Sequence, residues 1–289
     1  MKLRPSERKR AKIKMALQGS AGSGKTFSSL LIAKGLTEDN LSKVALIDSE
    51  NGSSDLYAHI GNYNVLELKP PFTPEKYIEA IEVCENAQME LIIIDSISHV
   101  WDELLDFHSK LAGNSFTNWN KVNPRHKAFI DKILQSNCHV IATMRTKQDY
   151  VLNQKNGKFI PEKVGLKAIQ RDGVDYEFTI VLDIDNNHFA RASKDRTNIF
   201  INRPDFKINS VIGRDILEWC NQGKEYIETD IKDQINKCLT ISDLMELYKI
   251  NPSFQKSHKE DFLHKKNQLE YLLTIKSHQN NGVNTNKHV

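Results

Sequence analysis

Nine residues near the start, GSAGSGKTF (19–27), constrain this chain more than any other stretch. They fit the spacing G-x-x-x-x-G-K-[S/T], with Gly19, Gly24, Lys25 and Thr26 in the fixed positions. Small residues between a buried strand and a helix let backbone N–H groups point at phosphate oxygens, and the helix N-terminus adds partial positive charge. Both flanks are present: IKMALQ (13–18) reads as a strand, and TFSSLLIAKGL (26–36) carries apolar residues at helical spacing. The loop of Gly19, Ser20, Ala21, Gly22, Ser23 and Gly24, continued by Lys25, Thr26 and Phe27, is therefore expected to bind a nucleoside triphosphate, ATP. Lys25 is assigned to the β- and γ-phosphates and the Thr26 hydroxyl to Mg²⁺.

The segments that follow fit the same kind of fold. KVALID (43–48), NVLEL (64–68), LIIID (91–95) and CHVIAT (138–143) read as short apolar strands. EKYIEAIEVCENA (75–87), WDELLDFHSKL (101–111) and RHKAFIDKILQS (125–136) read as helices between them. Alternation of this kind predicts an α/β fold with a mainly parallel central sheet flanked by helices. Beyond 149 the texture changes. YVLNQKNGKFIPEKV (150–164) reads as a polar hairpin turning at Asn156–Gly157. FTIVLDIDNNHFARASKD (178–195) reads as two strands joined at Asp185–Asn187, expected to extend the sheet with antiparallel pairs. The expected organisation is a basic N-terminal arm over 1–11, a nucleotide-binding core over 12–205, a small helical C-terminal region over 206–275 and a disordered, Asn-rich tail over 276–289.

Composition narrows the class. With 289 residues, 27% of them charged, and no apolar run near the roughly 18 residues of a membrane span, the chain is expected to be cytoplasmic, with no membrane partner. The basic N-terminus lacks the apolar core of a secretory signal and reads as a solvated arm, with a DNA or subunit contact as the alternatives. Cys84, Cys138, Cys220 and Cys238 have no metal-ligand spacing and read as buried free thiols.

Several polar residues fall where such a fold gathers its chemistry. Asp95 ends LIIID; a carboxylate at the tip of a buried strand neighbouring the phosphate loop can hold the Mg²⁺ water shell. Glu50, in IDSEN (47–51), stands beyond the second strand, where it can prepare the water that attacks the γ-phosphate. Asp48 competes for that role, but as a strand-end residue it is better suited to capping the loop. Thr143, at the tip of CHVIAT, fits either a γ-phosphate sensor or a simple strand-end hydrogen bond. His99, a turn past Asp95, reads as a structural histidine, with coupling of the nucleotide to a loop as the alternative. In SKDRT (193–197), Lys194 and Arg196 project to the same side if the segment is extended, so both can neutralise transition-state charge on a neighbouring subunit's triphosphate; a solvated hairpin end is the alternative.

Together these segments resemble the RecA-like ATPase core, a P-loop NTPase fold. ALIDSEN resembles the segment carrying the catalytic glutamate, which maps onto Glu50, and LIIIDSIS resembles the Mg²⁺-supporting strand, which maps onto Asp95. SKDRT resembles the Lys-x-Arg element by which RecA-fold ring and filament ATPases act on the adjacent subunit's nucleotide. QRDGVDYEFTIVLDID (170–185) followed by SKDRT is similar to phage-encoded ATP-binding proteins of the AAA_24 type, and the resemblance covers about residues 10–203. It implies an ATPase acting on DNA in phage recombination or replication, like the short single-strand-annealing ATPases. It also implies a homo-oligomer, phage- or prophage-encoded and cytoplasmic in a bacterial host, working with single-strand-binding or other recombination or replication proteins. The basic stretch after Thr143 is then the expected DNA contact: Arg145, Lys147, Lys155 and Lys158 for phosphates, Tyr150 and Phe159 for stacking on bases. A nucleotide-dependent loader or switch with little hydrolysis, and a small-molecule kinase, remain alternatives; the Lys194–Arg196 pair and the lack of a recognisable lid weigh against the kinase.

Overall fold

The computed structural model describes residues 5–155, 158–223, 231–250, 255 and 258–281. Its architecture follows from the apolar runs. VALID forms β2 (Val44–Asp48) and LIIID forms β4 (Leu91–Asp95), and every residue of both strands is buried. A strand apolar on both faces needs helices on both sides. Alternate residues of β4 supply the two layers. Ile92 and Ile94 pack with Tyr77, Ile81, Phe129 and Ile133, while Leu91 and Ile93 pack with Leu30, Ile32, Ile212 and Ile216. The first layer comes from α2 (Pro74–Asn86), α3 (Ser98–Ser109) and α4 (Ser115–Gln135), the second from α1 (Lys25–Leu36) and α5 (Ser210–Asn221).

With β1 (Lys14–Gly19), β3 (Asn64–Glu67), β5 (His139–Lys155), β6 (Lys158–Ala168), β7 (Ile180–Ile184), β8 (Phe189–Asp195) and β9 (Phe206–Lys207), the sheet runs β3-β2-β4-β5-β1-β7-β8-β9, with β6 pairing β5 off this path. The six strands from β3 to β7 are mutually parallel, so their carboxyl ends share one edge. This is the α/β, RecA-like P-loop fold expected from the alternation of strands and helices.

Four expectations are corrected. The strand of Asp95 does not adjoin the loop strand: β5 lies between β4 and β1. The FTIVL segment gives β7, which is parallel to β1; only β8 and β9 turn back antiparallel. α4 starts ten residues before the predicted 125, because Asn114 caps it by accepting from Phe116 N at 2.8 Å and Pro124 is accommodated inside the helix. And β5 does not end at Thr143. Beyond Arg145 it has no β1 or β4 residue beside it, and it continues as one arm of a two-stranded ribbon with β6, from Thr146↔Ala168 to Lys155↔Lys158. The predicted turn, Asn156–Gly157, lies outside the described residues.

α5 belongs with the sheet. Asn209 caps it through Val211 N and Ile212 N, at 3.0 and 3.4 Å. Its backbone touches α1 where two glycines meet: a Cβ on Gly213 would stand 2.1 Å from the Ile32 carbonyl oxygen, and one on Gly35 would stand 2.0 Å from that of Ser210. The chain accordingly divides into Met1–Lys224 and Glu225–Val289, a boundary beyond the 205 expected from composition. Within the second unit, α6 (Ile231–Lys237), α7 (Ile241–Ile250) and α8 (Lys259–Asn281) enclose Ile235, Leu244, Leu247, Phe262 and Leu269. α8 occupies the first part of the expected tail at 276–289; residues 282–289 lie outside the described residues.

The basic arm is exposed over residues 5–10, as expected of a solvated arm, but it also touches α5. Arg8 stacks 4.1 Å from the centre of the Trp219 ring and donates to the Trp219 carbonyl at 2.7 Å, and Ala11 N donates to the Cys220 carbonyl. Carbonyls of a last helical turn lack partners within the helix, so a cation and an N–H from the arm complement them. All four cysteines are free and buried.

Candidate nucleotide site

The carboxyl edge of the sheet opens into a cleft of about 750 Å³ lined by Lys25, Thr26, Phe27, Glu50, Tyr57, Asp95, Arg145, His188 and Lys207, among others. Its floor is the glycine-rich loop. Gly22 and Gly24 have φ of 79° and 89°, the left-handed region that favours glycine. A Cβ on Gly19 would stand 2.5 Å from the Ile184 carbonyl oxygen of the adjoining strand. α1 begins at Lys25 with no side chain capping it, so its first N–H groups face the cleft open to an anion. The Lys25 ammonium donates to the Gly19 and Ser20 carbonyls at 3.0 and 2.8 Å. Burial lowers its pKa, against the pull of Asp95 and Glu50.

Asp95 sits on the far side of β5 from the loop yet reaches it. One carboxylate oxygen accepts from the Thr26 hydroxyl and the other from the Thr143 hydroxyl. Burial raises its pKa, and the two hydroxyl donors oppose that shift. A hydroxyl and a carboxylate side by side at a phosphate loop are hard oxygen donors, the chemistry that suits Mg²⁺ sharing its shell with phosphate and water. Thr26 and Asp95 therefore fit the ion. Among the described residues no group of three His, Cys, Asp or Glu side chains gathers as a metal cluster.

The two carboxylates after β2 have separate jobs. Asp48 accepts from Glu50 N at 2.6 Å and from Ser54 N at 3.0 Å, so it caps the turn as its strand-end position suggested. Glu50 is thereby presented to the cleft, where its Oε1 accepts from Arg145 Nε at 2.9 Å and forms an ion pair with the guanidinium, 2.8 Å from Nη2. Arg145, expected among the DNA contacts, thus lines the nucleotide cleft instead, because it is the last β5 residue in register with β1. Thr143 is fully buried with its hydroxyl bonded to Asp95, which is the strand-end hydrogen bond and not a phosphate contact. His99 lies 2.8 Å from the Ser49 hydroxyl through Nδ1 and stacks on Phe72, and burial lowers its pKa.

A family model for an AAA domain, AAA_24, matches residues 11–209. The chain belongs to this AAA domain family. No curated protein matches it at a significant level. The matched span contains the whole sheet and the cleft, and it marks the chain as a nucleotide-binding protein of the P-loop ATPase type. No helix among the described residues is long and apolar enough to cross a membrane.

Other parts of the AAA domain were not visible as site residues in the sequence. The turn between β7 and β8 clamps the loop: His188 Nδ1 lies 2.9 Å from the Ser23 carbonyl oxygen, and the Ser20 hydroxyl donates to Asn186. Asp185 holds that turn by accepting from Asn187 N and Phe189 N. Read alone, DNNH signals only a turn; the pairing of β7 with β1 brings it to the glycine-rich loop. Phe27 and Tyr57, with ring centres 5.9 Å apart, and Ile208 add apolar surface to the same cleft.

Lys194 and Arg196 do project to one side: Lys194 Nζ donates to the Asp175 and Tyr176 carbonyls, and Arg196 Nη2 to that of Tyr176 at 3.3 Å. Burial lowers the Lys194 pKa, and Arg196 adds to the shift. Neither lines the chain's own cleft. Lys194 pairs with Val181, while the loop edge is level with Ile184, about 10 Å further along the strands. Lys147 is exposed on β5; Tyr150 and Lys155 lie further along β5, and Lys158 and Phe159 lie on β6.

Proposed function

We propose that this AAA domain protein hydrolyses ATP and acts on single-stranded DNA in phage recombination or replication, as a homo-oligomer. The observation that carries this reading is the course of β5. One continuous strand meets Asp95 through Thr143 and Glu50 through Arg145, then runs out as the arm of a ribbon bearing Lys147, Tyr150 and Lys155, opposite Lys158 and Phe159. A nucleotide-dependent change at the cleft has a direct path to a basic, aromatic ribbon suited to a single strand. The phage setting, and cooperation with single-strand-binding or other recombination and replication proteins, rest on the resemblance of QRDGVDYEFTIVLDID and SKDRT.

In the proposed reaction, Lys25 turns from the Gly19 and Ser20 carbonyls to the β- and γ-phosphate oxygens, which the loop N–H groups also hold. Thr26 and Asp95 would hold Mg²⁺, which neutralises phosphate charge when bound. Glu50 accepts a proton from water as its oxygen attacks the γ-phosphorus in line, and ADP leaves with the bridging oxygen. Asp48 fixes the backbone of Glu50 for that task. Lys194 and Arg196 lie too far from their own cleft to serve it, which favours their acting on the triphosphate of a neighbouring copy.

Cutting back the ribbon tests the DNA assignment. With residues 149–165 replaced by Asn-Gly, fluorescence anisotropy is expected to show ATP-analogue binding retained and single-stranded oligonucleotide binding lost. Oligonucleotide affinity equal to the parent protein's would remove the ribbon from the DNA site.

A further inference from the structure

His188 stands in the cleft wall with one ring nitrogen engaged and the other open. It is the last residue of the β7–β8 turn, at φ 66°, and Asp185 holds the backbone there. The Asp185 carbonyl accepts from His188 N at 3.1 Å, and its carboxylate accepts from Asn187 N and Phe189 N. The ring is pinned against the phosphate loop. Nδ1 lies 2.9 Å from the Ser23 carbonyl oxygen, and a Cβ on Gly24 would stand 3.2 Å from that nitrogen. A carbonyl can only accept, so Nδ1 carries the hydrogen, and in the neutral ring Nε2 is a bare acceptor. Nε2 has no partner among the described residues, and its side chain lines the cleft.

The turn also fixes which part of a nucleotide this atom meets. On one side His188 abuts Gly24, in the loop that holds the phosphates. On the other it precedes Phe189, which pairs with Lys207, and Ile208 follows as apolar wall of the same cleft. With the phosphates on the loop and the base against Phe27, Tyr57 and Ile208, the group between them is the sugar. A bare acceptor suits the sugar's hydroxyls and not ionised phosphate oxygens, which have no hydrogen to give. We propose that His188 is a specificity-determining residue that accepts a hydrogen bond from a ribose hydroxyl through Nε2. The cleft then prefers ribonucleoside to deoxyribonucleoside triphosphates. The side chain is exposed, so water competes for Nε2, and the preference has the size of one hydrogen bond, about threefold to tenfold. This inference rests on the ATP-binding reading above and extends it to the sugar.

The test is a binding comparison that needs no turnover. The Mg²⁺ complexes of β,γ-imido-ATP and of its 2′-deoxy and 3′-deoxy forms are titrated calorimetrically into the parent protein, H188N and H188A. In the parent protein, removing the hydroxyl that His188 engages should weaken binding by about threefold to tenfold. H188N places an amide N–H where the Nδ1–H stood and tolerates the left-handed backbone, but has no atom at the Nε2 position. It should therefore bind all three forms equally, at the affinity of the weakened deoxy form in the parent protein. H188A also gives up the Ser23 contact, so it should lower all three affinities and show no preference. A parent protein that binds the three forms alike would overturn the proposal, as would a ribose preference that survives in H188N. Equal weakening of all three forms in H188N, with their ratios kept, would leave His188 only its hold on the loop. If the parent protein binds none of the three, the ATP reading falls and this inference falls with it. Binding without ribose preference removes the sugar contact alone.

Discussion

Glu50→Gln is expected to lower kcat for ATP hydrolysis by about 10² to 10⁴-fold without weakening ATP binding. The amide keeps the size of the side chain and can still accept from Arg145, but it cannot take a proton from water. Asp48 cannot replace it, because both of its carboxylate oxygens already hold the turn through Glu50 N, Ser54 N and the Ser54 hydroxyl. Single-turnover hydrolysis and equilibrium ATP binding, measured on the same preparations, separate the two effects. A loader or switch with little hydrolysis of its own has no rate for this substitution to remove. Loss of binding and rate together would instead make Glu50 a structural carboxylate.

The second large effect belongs to Lys194 and Arg196. Cations that complete a phosphoryl-transfer site from another subunit contribute about 10³ to 10⁵-fold to kcat. The double change K194A/R196A is therefore expected to abolish most hydrolysis while each chain still binds ATP in its own cleft. A mixing experiment makes the claim specific. E50Q chains retain the cation pair and K194A/R196A chains retain Glu50, so combining the two inactive proteins should restore part of the rate. Recovery requires a site assembled from two chains. A K194A/R196A protein with parental activity would return the pair to a local task, holding the Asp175 and Tyr176 carbonyls.

What was legible in the sequence was local. The glycine-rich loop between strand and helix, the strand ending at Asp95 and the turn held by Asp48 each depend on spacing within one strand–turn–helix unit, and these local elements form where the sequence put them, although the Asp95 strand does not adjoin the loop strand. What was not legible depends on strand order. Arg145 meets Glu50 across 95 residues because β2 and β5 flank β4, and His188 meets Ser23 across 165 because β7 adjoins β1. Basic residues after a strand look alike whether they face a cleft or solvent, so Arg145 was grouped with Lys147. The boundary after 205 was misplaced for a similar reason: α5 joins the core through the paired glycines Gly35 and Gly213, a close approach that neither helix announces alone.

The central claim is that ATP is hydrolysed at a site completed by a second copy and governed by DNA on the ribbon. The most direct measurement is the ATPase rate per chain over a wide range of protein concentration, with and without single-stranded DNA. The account predicts a rate per chain that rises steeply with concentration and is stimulated by the DNA. A full rate in dilute protein, unchanged by DNA, would contradict it.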